Sequence, residues 1–168
     1  KSVGENPNDL MDQRDKAVDD LSKLVNISVS LDKNDVANVS IGGVFAADAS
    51  YAVEFDYKIE NDKIALITAK DKKTPKVFGG ELNALTVTYN TTIPSYLDQI
   101  NTIANKLVDS VNALHKTGYT LTDPQRSGVN FFEGYENGKL KINEEILRDP
   151  RLIAASADGT YGNSDIAV

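Results

Sequence analysis

The sequence has no cysteine and no tryptophan, one histidine (His115) and one methionine (Met11). Without cysteine there can be no disulfide, no thiolate nucleophile and no zinc–thiolate site. That absence fits a cytoplasmic protein, or a secreted one that never relied on an oxidising compartment to fold. No apolar run approaches the roughly 20 residues needed to cross a bilayer. Positive charge is also scarce: 18 basic residues face 25 acidic ones, for a net charge of -7. Nucleic acid and anionic membrane both require a basic footprint, so neither is an expected partner. Gly42-Gly43 and Gly79-Gly80 lack the spacing and lysine of a phosphate loop, and no cofactor is expected.

What is present is ordinary for a globular chain of 168 residues, with 40% hydrophobic and 26% charged residues. From Asn8 to Val25 the apolar positions Leu10, Met11, Ala17, Val18, Leu21, Leu24 and Val25 recur at steps of three and four, which predicts a helix over 8–25. Between 27 and 80 the period drops to two (Ile27, Val29, Leu31; Val39, Ile41; Tyr51 to Ile59; Ile64, Leu66), broken by turn-forming clusters. This predicts about four strands, mainly antiparallel because the connections are too short for crossovers. Residues 81–93 fit either helix or strand. After Pro94, Leu97, Ile100, Ala104, Leu107, Val111 and Leu114 form an unbroken a/d seam ending at Gly118, a candidate C′ glycine. Such a seam needs a partner helix, and the first helix is the expected one, with Leu21 and Leu107 as contact positions.

The expected fold is therefore α+β. Two long amphipathic helices pack with each other and with a small antiparallel sheet in a core domain over 1–118. A loop-rich extension covers 119–168, with a short strand at Leu140–Ile142 and a brief helix over 144–148, capped by Asn143 and stopped before Pro150.

Candidate chemistry is thin. Asp9, Asp12, Asp15, Asp19 and Asp20 crowd the first helix, but one straight helix cannot wrap its own carboxylates around an ion. Lys16 and Lys23 follow Asp12 and Asp19 by four residues, so the cluster reads as a solvated face and not a metal site. Arg14 interrupts the apolar stripe and must snorkel, pair with a carboxylate or dock on carbonyls; it reads as a structural clamp. His115 ends the second long helix, where an imidazolium would suit the negative dipole end. Asp32-Lys33-Asn34-Asp35 begins like a calcium loop but continues with Val36 and Ala37 where a ligand and then a glycine are required. Asn26, Asn38 and Asn90 start glycosylation-type triplets, a pattern common by chance. No catalytic constellation emerges, and a hydrolase built on the aspartates is the remotest of the readings.

Three groups of residues carry a resemblance. Asn6-Pro-Asn-Asp-Leu-Met-Asp-Gln-Arg-Asp with Leu21-Ser-Lys-Leu-Val is the first. The second is Gly79-Gly80-Glu-Leu, Ile103-Ala104, Val111-Asn112, His115, Gly118-Tyr119 and Phe131-Phe132. Asp149-Pro150, Ile153-Ala-Ala-Ser156 and Gly162-Asn163 form the third. In order and spacing they resemble the flagellar hook-associated protein 1 family, the hook–filament junction proteins. The resemblance implies a non-enzymatic structural subunit, exported through the flagellar secretion channel without a cleavable signal and assembled as a ring outside the cell. Implied partners are the hook protein, a second junction protein, further copies of itself and, before assembly, an export chaperone. Asp12, Gln13, Arg14, Asp15, Leu21, Leu107, Asn112, His115, Phe131 and Phe132 are the structural or assembly candidates. The chain lacks an initiator Met and ends at Asp165-Ile-Ala-Val168, which reads as a central fragment, monomeric alone, whose terminal assembly helices lie outside it. Members often carry an outer β domain after the Phe-Phe pair; here only Glu133 to Lys139 separate it from Leu140, so no outer-domain role is expected. The alternative is a protein-binding module that contacts a chaperone or surface receptor through its acidic face.

Overall fold

The computed structural model describes residues 7–33 and 36–166; Asn34 and Asp35 of the rejected calcium loop therefore lie outside the described residues. The chain divides into two compact units, one ending at Pro94 and the other beginning at Ser95. The composition change after Gly118 had placed the boundary later. The long second helix falls mostly in the C-terminal unit because the segments that follow it fold back and bond to it.

Unit one opens with α1 (Pro7–Leu24), then β1 (Ile27–Leu31), β2 (Ala37–Ile41), β3 (Val44–Ala47), β4 (Phe55–Glu60) and β5 (Lys63–Thr68). Pro7 begins the helix, a position where its missing N–H costs nothing. The strands form an antiparallel β1-β2-β3 sheet and a separate β4-β5 hairpin. This is five strands, against four expected. β3 lay hidden in Val44-Phe-Ala-Ala, which has no alternation, and the long alternation from Tyr51 becomes strand only at Phe55. Both tight hairpins turn on two residues with positive φ, Gly42-Gly43 at 53° and 83° and Asn61-Asp62 at 50° and 58°. Such turns match the right-handed twist of the strands they join.

Val25, Ile41 and Ala46 are buried, and Leu21, Ile27, Val39, Phe55, Leu66, Val77 and Leu82 pack around them. Within this unit α1 thus meets the sheet and α2 (Gly80–Val87). Gly80 (φ 77°) begins α2 so close to α1 that an added Cβ would lie 2.5 Å from the Val25 nitrogen. The ambiguous stretch resolves as helix: α2, a π turn over Thr88–Thr92, and α3 (Ile93–Thr117) make a helical run of 38 residues.

In unit two, α3 is followed by β6 (Tyr119–Thr120), β7 (Phe132–Glu136), β8 (Lys139–Ile142), α4 (Glu144–Arg148), a 3₁₀ turn (Pro150–Leu152) and β9 (Ala154–Ser156). β7 pairs with β8 and β6 with β9, both antiparallel. The Asn143 side chain caps α4 by accepting from the Glu145 N–H at 2.9 Å, as its position predicts. β7-β8 turns on Asn137-Gly138, φ 51° and 76°. The α+β architecture with small antiparallel sheets agrees with the sequence reading. Along the α3 seam, Leu97, Ile100, Leu107 and Leu114 are each about half exposed. Within unit one, α1 packs against α2 and the sheet.

Candidate functional site

Side-chain amides and one imidazole, all bonded to backbone, are the convergent polar groups of this molecule. His115 is one turn from the end of α3 and 5% exposed. Its Nδ1 lies 2.7 Å from the Val129 carbonyl, and its Nε2 accepts the Ala154 N–H at 2.9 Å. A carbonyl can only accept and an amide N–H can only donate, so the ring is neutral and protonated on Nδ1. The ring braces two distant segments, and Phe131 packs edge-on to it at 5.5 Å.

One turn earlier, Asn112 performs the same task. Its amide nitrogen donates to the Phe132 carbonyl and its oxygen accepts the Phe132 N–H, both at 2.9 Å. Phe131 and Phe132 stand edge to face at 4.8 Å. Asn143 extends the system by donating from Nδ2 to the Asn130 carbonyl at 2.9 Å. The spacing Asn112–His115 places both groups on one face of α3, so the helix grips residues 129–132 at two successive points. Gly118, just past α3, does not take the positive φ expected of a C′ glycine. It is required for space: an added Cβ would lie 2.9 Å from Ala154 Cβ and 2.7 Å from Ile166 Cδ1. Thr120 is 1% exposed and accepts the Arg126 N–H through Oγ1 at 2.8 Å.

Unit one uses the same device twice. Asn26 donates to the Lys76 carbonyl at 3.1 Å and accepts the Phe78 N–H at 2.9 Å. Asn90, inside the π turn, holds both the N–H and the carbonyl of Ile64 at 2.8 Å. Sequence reasoning missed these as functional positions. Each began a glycosylation-type triplet, and a buried-side clamp leaves no periodic signal.

The acidic face of α1 is what its spacing implied. Asp12, Gln13 and Asp15 are exposed. Lys23 pairs at 2.7 Å with Asp20, three residues before it, and not with Asp19. Arg14 is partly covered, and its guanidinium meets the Asp15 carboxylate at 2.7 Å. Arg14 borders an apolar groove of about 470 Å³ with Ala17, Val18, Leu21 and Val39. Pairing with a carboxylate, one of the options open to it, therefore occurs. Leu21 sits at the edge of the unit-one core, whereas Leu107 is 46% exposed and lines an apolar groove with Ile100, Ile103, Tyr135 and Leu140. Among the described residues no group of three or more His, Asp or Glu side chains is placed to hold a metal ion, and no helix is long and apolar enough to cross a membrane.

The best-defined carboxylate is Asp158, held down at about 2 by the Thr160 N–H and hydroxyl, the Ser156 hydroxyl and the Asn163 amide. It orders the turn after β9, with Asp165 accepting the Ala157 N–H at 2.8 Å. The amide, imidazole and carboxylate groups described above thus end on the chain's own backbone or in a local turn.

Comparison with curated proteins gave no match. A family model, that of the flagellar hook-associated protein FlgK helical domain, matches residues 1–132. That span contains α1, the strands of unit one and the whole α2–α3 run with Asn112, His115 and Phe131-Phe132, so the chain belongs to the flagellar hook-associated protein FlgK family, whose role is structural and whose place is the flagellum.

Proposed function

We propose that this chain is part of a non-catalytic subunit at the hook–filament junction, one of a ring of copies joining the hook protein to a second junction protein. The family match carries the reading. The bonding supports it, because the one imidazole has both nitrogens committed to backbone at 2.7 and 2.9 Å, leaving no ring atom for proton transfer to a substrate. The subunit is exported through the flagellar secretion apparatus without a cleaved signal, an export chaperone holding it before assembly. The candidates then divide by task. Leu21, Asn112, His115, Phe131 and Phe132 shape the subunit, while Asp12, Gln13, Asp15 and Leu107 lie on its outside, available to neighbours.

Immunogold labelling of intact flagella with antibody to this chain tests the reading. A single band of gold where hook meets filament is the expected result. Label along the filament, or confined to the cell interior, would overturn it.

A further inference from the structure

Among the described residues no strand pairs with the outer edge of β1, and the apolar–polar pattern of that strand reads the same in both directions. Ile27-Ser-Val-Ser-Leu31 lies at the end of the β1-β2-β3 sheet, bonded on one side only. The flanking bonds fix which backbone groups point inward: Gly42 N–H donates to the Asn26 carbonyl, and Asp32 N–H to that of Val36. Even-numbered positions therefore face β2, and Ile27, Val29 and Leu31 turn their N–H and carbonyl groups outward. Natural edge strands are usually blunted by lysine, proline or a bulge. This strand carries no charge and no proline, and the bulge of its sheet lies between β2 and β3. Val29 and Leu31 are 42% and 56% exposed.

We propose that this edge pairs antiparallel with the β1 edge of a second copy, about a two-fold axis through Val29. In that register Val29 meets Val29 of the other copy, and Ile27 meets Leu31 on both sides. The three outward-facing residues of each strand then bond one another. Apolar side chains meet apolar ones on one face and serines meet serines on the other, the matched cross-strand pairing that stabilises a ladder. A two-fold contact requires a self-complementary surface, and this pentapeptide is one. Its lack of charge matters as well. Each copy carries a net charge of -7, and the strand is a stretch where apposing two copies places no like charges opposite each other. The contact closes at two copies and gives a discrete dimer. The inference stands independently of the junction role proposed above.

Sedimentation of the 168-residue chain across concentration is the test. The expected species is a dimer of about twice 18.2 kDa, strengthened by salt because screening weakens the repulsion between acidic copies. Val29→Pro removes an outward N–H and should give a monomer with unchanged circular dichroism. Should that variant unfold, Leu31→Lys decides instead. A Val29→Cys variant, the only thiol in the chain, should oxidise to a cross-linked dimer much faster than Tyr57→Cys, since paired Cα atoms lie about 5.5 Å apart. A monomer up to millimolar concentration, oligomers beyond two, a dimer indifferent to both edge variants, or equal oxidation of the two cysteines would each overturn the proposal.

Discussion

The two units solve the same problem with different means. Unit one gathers an apolar nucleus, with Val25, Ile41 and Ala46 buried and seven partly buried hydrophobic residues around them, and adds amide clamps at its margins. Unit two has a long helix whose apolar seam stays half exposed, and it is closed by polar cross-braces from Asn112, His115 and Thr120 to backbone 6 to 39 residues away. Burial is non-directional and tolerates adjustment, whereas a brace is directional and fails when either partner is lost. Unit one should therefore lose stability in proportion to what is removed from its nucleus, and unit two should depend on a few atoms.

The sharpest break is Val25→Asp. An unpaired carboxylate at a position 3% exposed should cost at least about 4 kcal/mol and unfold unit one. Amide hydrogen exchange should show protection lost across β1–β5; retained protection would mean that the nucleus is elsewhere. Next is His115→Ala, which orphans the Ala154 N–H and the Val129 carbonyl and should cost about 2–4 kcal/mol. Exchange should rise at β9 and residues 129–132 with unit one unaffected. A smaller effect is acid-linked. Asp158 sits at about 2 against an ordinary 3.8, so its contribution is present above the ordinary value and is lost as pH falls from there through about 2. Asp158→Asn should lower the melting temperature at pH 6 and match the parent near pH 2. The smallest change expected is Leu107→Asp. At 46% exposure it should move stability by no more than about 0.5 kcal/mol, and a large loss would show that the seam is covered in solution.

Much of this was legible where periodicity is strong. The spacing of Leu10 to Val25 gave α1 to within a residue at either end, and the seam from Leu97 to Leu114 marked the middle of α3 but not its full 25 residues. The helix choice for residues 81–93 was not available from the pattern, because Leu85, Val87 and Tyr89 alternate while Leu82, Leu85 and Tyr89 also follow helical spacing. Asn137-Gly138 was a missed signal. Asn-Gly is the preferred pair for a two-residue hairpin, and with it Glu133 to Lys139 becomes most of β7 and a turn instead of a connection. β6 and β9, of two and three residues, are too short for any period and exist because His115 and Gly118 hold their backbone close. The candidate site was half legible. His115 and Asn112 were singled out, but their neutral, backbone-directed bonding depends on partners 14 to 39 residues away.

Those separations also set an order in time. The Asn26 clamp joins residues 50 and 52 apart, so unit one cannot close on the ribosome until Phe78 has emerged. The His115 brace must wait for Ala154, 39 residues after the helix end that carries it. Closing such loops has an entropic cost that local helices do not bear. The folding chain should therefore pass through a stage with α3 formed, unit one complete and the segment after it still trailing, and β9 is the piece whose arrival closes unit two.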